Sequence, residues 1–238
     1  MSKKIICLTG WGQKFDSLEF IFRDPLFDPI FFATSSLNYS VFDSAIEFFT
    51  NVKSSNLHCD ILIGWSLGGQ LALRLIAQKI LNPQLLILIA PPFQMVKDKN
   101  IQAAMAPNVF AEFYHNFCKA PNQTLKKFSI LSAMNDRNAS EIYKNLEIKD
   151  DDFGCLKFWL EELKIFSCFN LDFSQMPRTI FFQGAGDTIV HASQAEYFKK
   201  RIKDFRLEVF KNCGHAPHLS DVEKFRKIIF AEFQILRR

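Results

Sequence analysis

The sequence predicts an α/β fold: a doubly wound, mostly parallel sheet of about six strands, interrupted by a helical insertion. Three observations carry this. Short apolar runs recur, most of them nearly continuous rather than alternating, as strands buried on both faces require. Helix-like periodicity fills the gaps between them. The alternation then stops between Pro91-Pro92 and Met176-Pro177, where no convincing strand occurs.

In chain order, strands are expected at residues 5–8, 30–33, 60–63, 85–90, 179–182 and 207–210. Residues 42–51 place Ala45, Ile46, Phe48 and Phe49 at helical spacing, and residues 69–79 do the same with Leu71, Ala72, Leu75 and Ile76. Helices at 196–202 and 222–236 follow later strands. The block between the strands at 85–90 and 179–182 holds helix-like segments at 109–118, 125–134, 140–146 and 154–166. Asn122 or Thr124 is placed to cap the second of these. Such a length of chain between two strands reads as an inserted helical cap, not a loop. The expected division is a core of residues 1–91 and 177–238 and a cap of residues 92–176.

Composition narrows the function classes. The chain has 238 residues, 48% hydrophobic and 23% charged, which excludes disordered, collagenous and coiled-coil classes. A formal charge of +4 falls short of a nucleic-acid footprint. Residues 197–238 hold 11 Lys and Arg against 5 Asp and Glu, read as the solvated face of a helix. The six cysteines show no CxxC and no zinc-ligand spacing, and Cys7 and Cys59 lie inside apolar runs. Only four apolar residues follow Met1-Ser2-Lys3-Lys4 before Thr9-Gly10, too few for a signal-peptide core. No apolar stretch nears the roughly 20 residues of a membrane span. The expectation is a reduced, cytoplasmic monomer with no nucleic-acid or membrane partner, no metal and no cofactor.

The chain has only nine glycines, about half the usual share of roughly 7%. Eight of them fall in four clusters, each just after an apolar run: Gly10 and Gly12; Gly64, Gly68 and Gly69; Gly184 and Gly186; Gly214. The second cluster reads Gly64-Trp65-Ser66-Leu67-Gly68-Gly69 and matches G-x-S-x-G between a strand and a helix. An abrupt strand-to-helix turn forces its serine into a strained backbone, and the residues two before and two after must lack a Cβ. Ser66 is then exposed above a helix N-terminus, whose dipole favours negative charge. It is the expected nucleophile. The alternative is a tight turn with an idle serine.

A serine nucleophile needs a base, and the base needs an orienting acid. On this fold they follow in the order Ser, Asp, His, each after a later strand. Asp187 ends Gln183-Gly184-Ala185-Gly186-Asp187, and His215 ends Lys211-Asn212-Cys213-Gly214-His215. Both lie at the carboxyl ends of strands, where open α/β sheets place their sites. His218 is the rival base. His191 is expected near Asp187, His58 on the wrong side of the sheet, and His115 in a structural role. Asp172 and Asp150–Asp152 read as surface charges. The oxyanion of acyl transfer needs two backbone donors. Leu67, after the nucleophile, is one, and Trp11 of Thr9-Gly10-Trp11-Gly12 is the other. Trp11 would also wall the pocket. The alternative for Trp11 is a buried aromatic under a loop.

With these residues the chain resembles the α/β-hydrolase superfamily. More narrowly it is similar to the pimeloyl-[acyl-carrier protein] methyl ester carboxylesterases of biotin synthesis, in Gly10-Trp11-Gly12, in Gly64-Trp65-Ser66-Leu67-Gly68-Gly69 and in His215-Ala216-Pro217. The resemblance covers the core well and the cap loosely. It implies cleavage of the methyl ester of an acyl chain borne on acyl-carrier protein, without a cofactor. It also implies that Phe128 lines the pocket while Lys126 and Lys127 face the carrier. From the residues alone, 113–135 carry Lys119, Lys126 and Lys127 and no acid. That is a local positive strip suited to carrier docking, or three ordinary solvated lysines. Thr9 stands where the family usually has His, and the first strand starts so early that the sheet is expected to be trimmed at one edge. A general short-chain carboxylesterase, a thioesterase and a binding module without turnover remain alternatives. Asp at the elbow, which dehalogenase and epoxide hydrolase chemistry needs, is absent.

Overall fold

The computed structural model describes residues 3–23, 32–146 and 152–237. In chain order its elements are β1 (Lys3–Leu8), α1 (Asp16–Glu19), β2 (Phe32–Ser36), α2 (Ala45–Ser54), β3 (Ile61–Trp65), α3 (Leu67–Ala77) and β4 (Leu85–Ile89). Then come α4 (Pro107–Lys119), α5 (Pro121–Ala133), α6 (Ala139–Asn145) and α7 (Phe153–Ile165). The chain returns to the sheet with β5 (Arg178–Gly184), α8 (Ala195–Lys199), β6 (Phe205–Phe210), α9 (Pro217–Ser220) and α10 (Val222–Arg237).

Among the described residues the strands form one sheet in the order β2-β1-β3-β4-β5-β6, and every neighbouring pair is parallel. The continuous apolar runs explain why. In β3 and β4 all ten residues are buried, so both faces must be covered. Successive residues serve opposite sides of the sheet. Ile6, Leu8, Leu62, Leu86 and Leu88 pack towards α2 and α3, whereas Ile5, Cys7, Ile61, Ile63 and Ile87 pack towards α1 and α10. Each such Leu or Ile contributes about 2 kcal/mol of burial. Cys59, just before β3, is buried, and its thiol is pushed up to about 12 by that burial.

Strand order reverses between β1 and β3, both of which leave the sheet there in the same direction. The crevice outside the carboxyl ends at such a point is where open α/β sheets bind ligands. The loop with Trp11 and the turn with Ser66 flank it.

Helices α4–α7 lie between β4 and β5. The chain's way out and way back are fastened side by side. Gln94 bridges Ser167 in antiparallel fashion, and Cys168 N–H donates to the Phe93 carbonyl at 2.9 Å. Buried Gln194 clasps the same spot: its Oε1 accepts from Phe93 N–H at 2.7 Å, and its Nε2 donates to Ala103 O at 2.7 Å. Further out, Trp159 Nε1 donates to Phe42 O at 2.8 Å, and Arg74 pairs with Glu162 at 2.8 Å.

Helices α4 and α5 start earlier than their apolar periodicity suggests, because Pro107 and Pro121 stand at their first turns, where a missing N–H costs nothing. The N-cap of α5 is accordingly Ala120, not Asn122 or Thr124, and Thr124 Oγ1 instead donates to Ala120 O at 3.0 Å. Asp152 caps α7, accepting from Gly154 and Cys155 N–H, so it is more than a surface charge; Asp150 and Asp151 lie outside the described residues. The expected strand at 30–33 lies partly outside them too. Strand β2 runs on through Thr34-Ser35-Ser36, an edge whose exposed side tolerates polar residues.

Candidate active site

The turn from β3 into α3 holds Ser66 at φ 53°, ψ −119°, outside the regions open to most L-residues. Such strain costs on the order of 1–3 kcal/mol and persists because the surroundings leave no alternative. A Cβ on Gly64 would come within 2.6 Å of Gly68 O, and one on Gly68 within 2.3 Å of Leu8 O. Ser66 N–H is anchored to Ile89 O at 2.8 Å.

From this turn a hydrogen-bond relay runs through the two later loops. Ser66 Oγ lies 2.9 Å from His215 Nε2, and His215 Nδ1 lies 2.7 Å from Asp187 Oδ2. The carboxylate can only accept, so Nδ1 carries the proton and Nε2 is left to receive one from Ser66. Asp187 is itself fixed. Its Oδ1 accepts from Ile189 and Val190 N–H, each at 2.9 Å, and its Oδ2 accepts from Gln183 Nε2 at 3.0 Å. All three relay residues are buried, His215 to 1% exposure, so their charges act in a poorly screening medium.

The other histidines fall elsewhere. His218 is fully buried with its ring 4.6 Å from that of Trp65, and burial pushes it down to about 3. It is neutral, and it lies behind Trp65. His191 Nδ1 accepts from Ser193 N–H and caps a short helical turn. His58 lies 3.8 Å from Asp60 at the far end of β3, and His115 is exposed on α4.

A cavity of about 180 Å³ opens onto Ser66. Its walls include Trp11, Phe110, Phe113, Phe128, Leu131 and Leu160, and among the described residues that line it none is charged. Phe128 is among these walls, with its ring 5.3 Å from that of Trp11. Trp11 is both the pocket wall and a buried aromatic: its Nε1 donates to Leu156 O at 2.8 Å, tying the loop after β1 to α7. That loop closes on itself through Thr9 Oγ1, which donates to Gln13 O at 2.7 Å, so Thr9 does structural work at the position of the missing His. Leu67 is the first residue of α3, where N–H groups have no partner within the helix.

Lys126 and Lys127 are exposed on α5, and Lys119 is exposed at the end of α4. Ile130 and Met134 continue the exposed line from Lys126 at steps of four, with 48% and 40% exposure.

Two contacts to the relay leave little trace in the sequence. Gln183 stands four residues before Asp187 with no motif that marks it as a support of the acid. Trp65 Nε1 donates to His215 O at 3.0 Å, across 150 positions, and no local signal marks that pairing.

The chain belongs to the alpha/beta hydrolase family, whose profile matches residues 6–228. Within it, the chain is similar to proteins named pimeloyl-[acyl-carrier protein] methyl ester esterase. That of Nitrosomonas europaea is 28% identical over 168 residues, covering 68% of this chain and 66% of the relative. That of Aromatoleum aromaticum is 30% identical over 174 residues, covering 68% and 69%. The match thus spans just under two thirds of the Nitrosomonas relative's own length. Among solved structures, an esterase from Exiguobacterium antarcticum superposes with a TM-score of 0.79 at 17% identity, covering 98% of this chain and 92% of the other. A bromoperoxidase from Bacillus anthracis gives 0.78 at 13%, with the same coverage. These likenesses concern the fold. Among the described residues no helix is long and apolar enough to cross a membrane.

Proposed function

We propose that this chain is a serine carboxylesterase that hydrolyses the methyl ester of an acyl chain carried on acyl-carrier protein, as its named relatives do with the pimeloyl chain. The observation that supports it most is the Ser66–His215–Asp187 relay at the floor of a cavity whose described walls carry no charge. An alkyl chain suits that cavity, and the ester carbonyl at its end meets Ser66.

In this reading His215 Nε2 takes the Ser66 proton as Oγ attacks the carbonyl carbon. Asp187 keeps the imidazole oriented and stabilises its charged form. The N–H groups of Leu67 and Trp11 receive the oxyanion. The carbonyl–methoxy bond breaks, and methoxide leaves with the proton from His215 as methanol. Water, giving its proton to His215, attacks the acyl-enzyme and restores Ser66. Among the described residues that line the cavity none offers the new carboxylate of the product a cation, and the cost of burying that charge favours release. Lys119, Lys126 and Lys127 face outward on the wall of the same cavity, where an acidic carrier would be steered.

The test is Ser66→Ala. Hydrolysis of a short p-nitrophenyl ester should fall by about 10⁴-fold or more, with the fold intact by circular dichroism, and a fluorophosphonate probe should label the wild type only. Wild-type rates in the variant would refute the reading.

A further inference from the structure

We propose that the C-terminal turn of α5 is part of the catalytic scaffold rather than of a movable lid, and that Asn135 is a positioning residue for both triad loops. This rests on the Ser66–His215–Asp187 reading above.

A helix leaves its last carbonyls without intrahelical donors. In α5 the residues that follow cap two of them, Met134 N–H on Leu131 O and Asp136 N–H on Ala133 O, each at 3.2 Å, and the two loops of the relay supply further donors. His215 N–H donates to Ser132 O at 3.0 Å, and Thr188 Oγ1 donates to Leu131 O at 3.4 Å. The chain then reverses through Asn135, at φ 63°. Asparagine is the residue after glycine that best tolerates this conformation. The reversal aims its side chain back, and Nδ2 donates to Gly186 O at 3.0 Å. Next to it, Asp136 Oδ2 accepts from Gly214 N–H at 3.3 Å, and Arg137 N–H donates to Asn212 O at 3.1 Å. Residues 131–137 thus grip the acid loop at Gly186 and Thr188 and the base loop at Asn212, Gly214 and His215.

The fit is close. A Cβ on Gly214 would come within 2.4 Å of Met134 O, and one on Gly186 within 2.9 Å of Asn135 Cβ. The two loops are joined to each other as well, through Gly186 N–H and Cys213 O at 2.9 Å. A shift of the turn therefore displaces Asp187 and His215 together. The electrostatic sign is also favourable, because the negative end of the α5 dipole meets the main chain of the residue that becomes cationic when Ser66 loses its proton. Phe128 and Leu131, which line the cavity, belong to the same helix, so the wall that receives the acyl chain and the support of the base are one rigid piece.

Asn135 is exposed, so its replacement need not disturb the core. Asn135→Gly keeps the backbone conformation and removes the amide. Asn135→Asp keeps size and backbone tolerance but faces Gly186 O with an acceptor. Both should lower kcat for a short p-nitrophenyl ester by about ten-fold, since small misplacements of reacting groups are costly, while KM moves less than about two-fold. Fluorophosphonate labelling of Ser66 should slow in parallel, and the downfield proton signal of the His215–Asp187 bond should shift or broaden. Thermal midpoints should stay near the wild-type value. Wild-type kcat and labelling in Asn135→Gly would overturn the proposal, as would a loss seen only in KM, which would make Asn135 part of the substrate wall. If the wild type itself is not labelled at Ser66, the esterase reading has failed and takes this one with it. If it is labelled and the variants match it, only the positioning role has failed.

Discussion

His215 and His218 are three residues apart, and their surroundings give them opposite tasks. His215 is held between a carboxylate and a hydroxyl. His218 is enclosed against Trp65 with its pKa pushed down to about 3, first by burial and then by the neighbouring His215. A histidine with a depressed folded-state pKa binds protons better once unfolded. Its contribution to stability is full above the unfolded value of about 6.5 and is lost as pH falls from there towards the folded value. Between pH 7 and pH 5 this one group removes about 2 kcal/mol. In His218→Phe, urea unfolding at the two pH values should show that much less acid sensitivity, with esterase activity per folded molecule retained at pH 7. An unchanged slope would contradict the burial argument, and a dead but folded variant would return His218 to the list of bases. At this scale the nucleophile, acid and base were readable because each follows a strand and a glycine in the order this fold imposes. The partners that hold them were not. Trp65, Ser132 and Asn135 reach His215 and Gly186 through contacts between distant parts of the chain, and a main-chain acceptor such as Ser132 O leaves no mark in its own side chain.

Most elements were legible to within a few residues, whereas the four-residue helices α1 and α9, too short to show a helical period, were not. Strands β3 and β4 are the clearest, because burial on both faces leaves an unbroken apolar run. Helices α4 and α5 begin before their apolar periodicity does, because Pro107 and Pro121 open them, and α5 therefore starts ahead of the cap candidates Asn122 and Thr124. Helix α5 makes three kinds of contact: Phe128 and Leu131 face the cavity, the Ser132 carbonyl at its C-terminal end accepts from His215 N–H, and Lys126 and Lys127 point outward. The last of these can be tested apart from the others. Lys126→Glu with Lys127→Glu should lower kcat/KM for a carrier-bound ester by about ten-fold at low salt, and the deficit should shrink as salt rises. Small free esters should be hydrolysed as before. Equal losses on both substrates would show that the lysines serve the fold, not docking.

At the scale of the molecule, the reversal of strand order between β1 and β3 opens the crevice, and the helices between β4 and β5 roof it. The fold class and the six parallel strands could be read from periodicity. The cavity could not, because a phenylalanine in a core and one on a pocket wall look alike in sequence. Of the many aromatic residues in the inserted segment, Phe110, Phe113 and Phe128 line the cavity, whereas Phe117, also on α4, packs behind Trp11. Fastening of the insertion at Gln94–Ser167, Gln194 and Trp159 makes the roof a fixed part of the binding site. A fixed, uncharged cavity beneath an outward basic strip predicts preference for an apolar acyl chain presented by an acidic carrier. The most direct measurement is methanol release from the methyl ester of pimeloyl-[acyl-carrier protein], compared with the free methyl ester of the same acid. Turnover of the carrier-bound ester should be lost in Ser66→Ala and should exceed that of the free ester by about ten-fold or more in kcat/KM, the lower end of what electrostatic steering supplies. A protein that hydrolyses the free ester yet leaves the carrier-bound methyl ester intact, or cleaves the thioester in its place, would contradict the account.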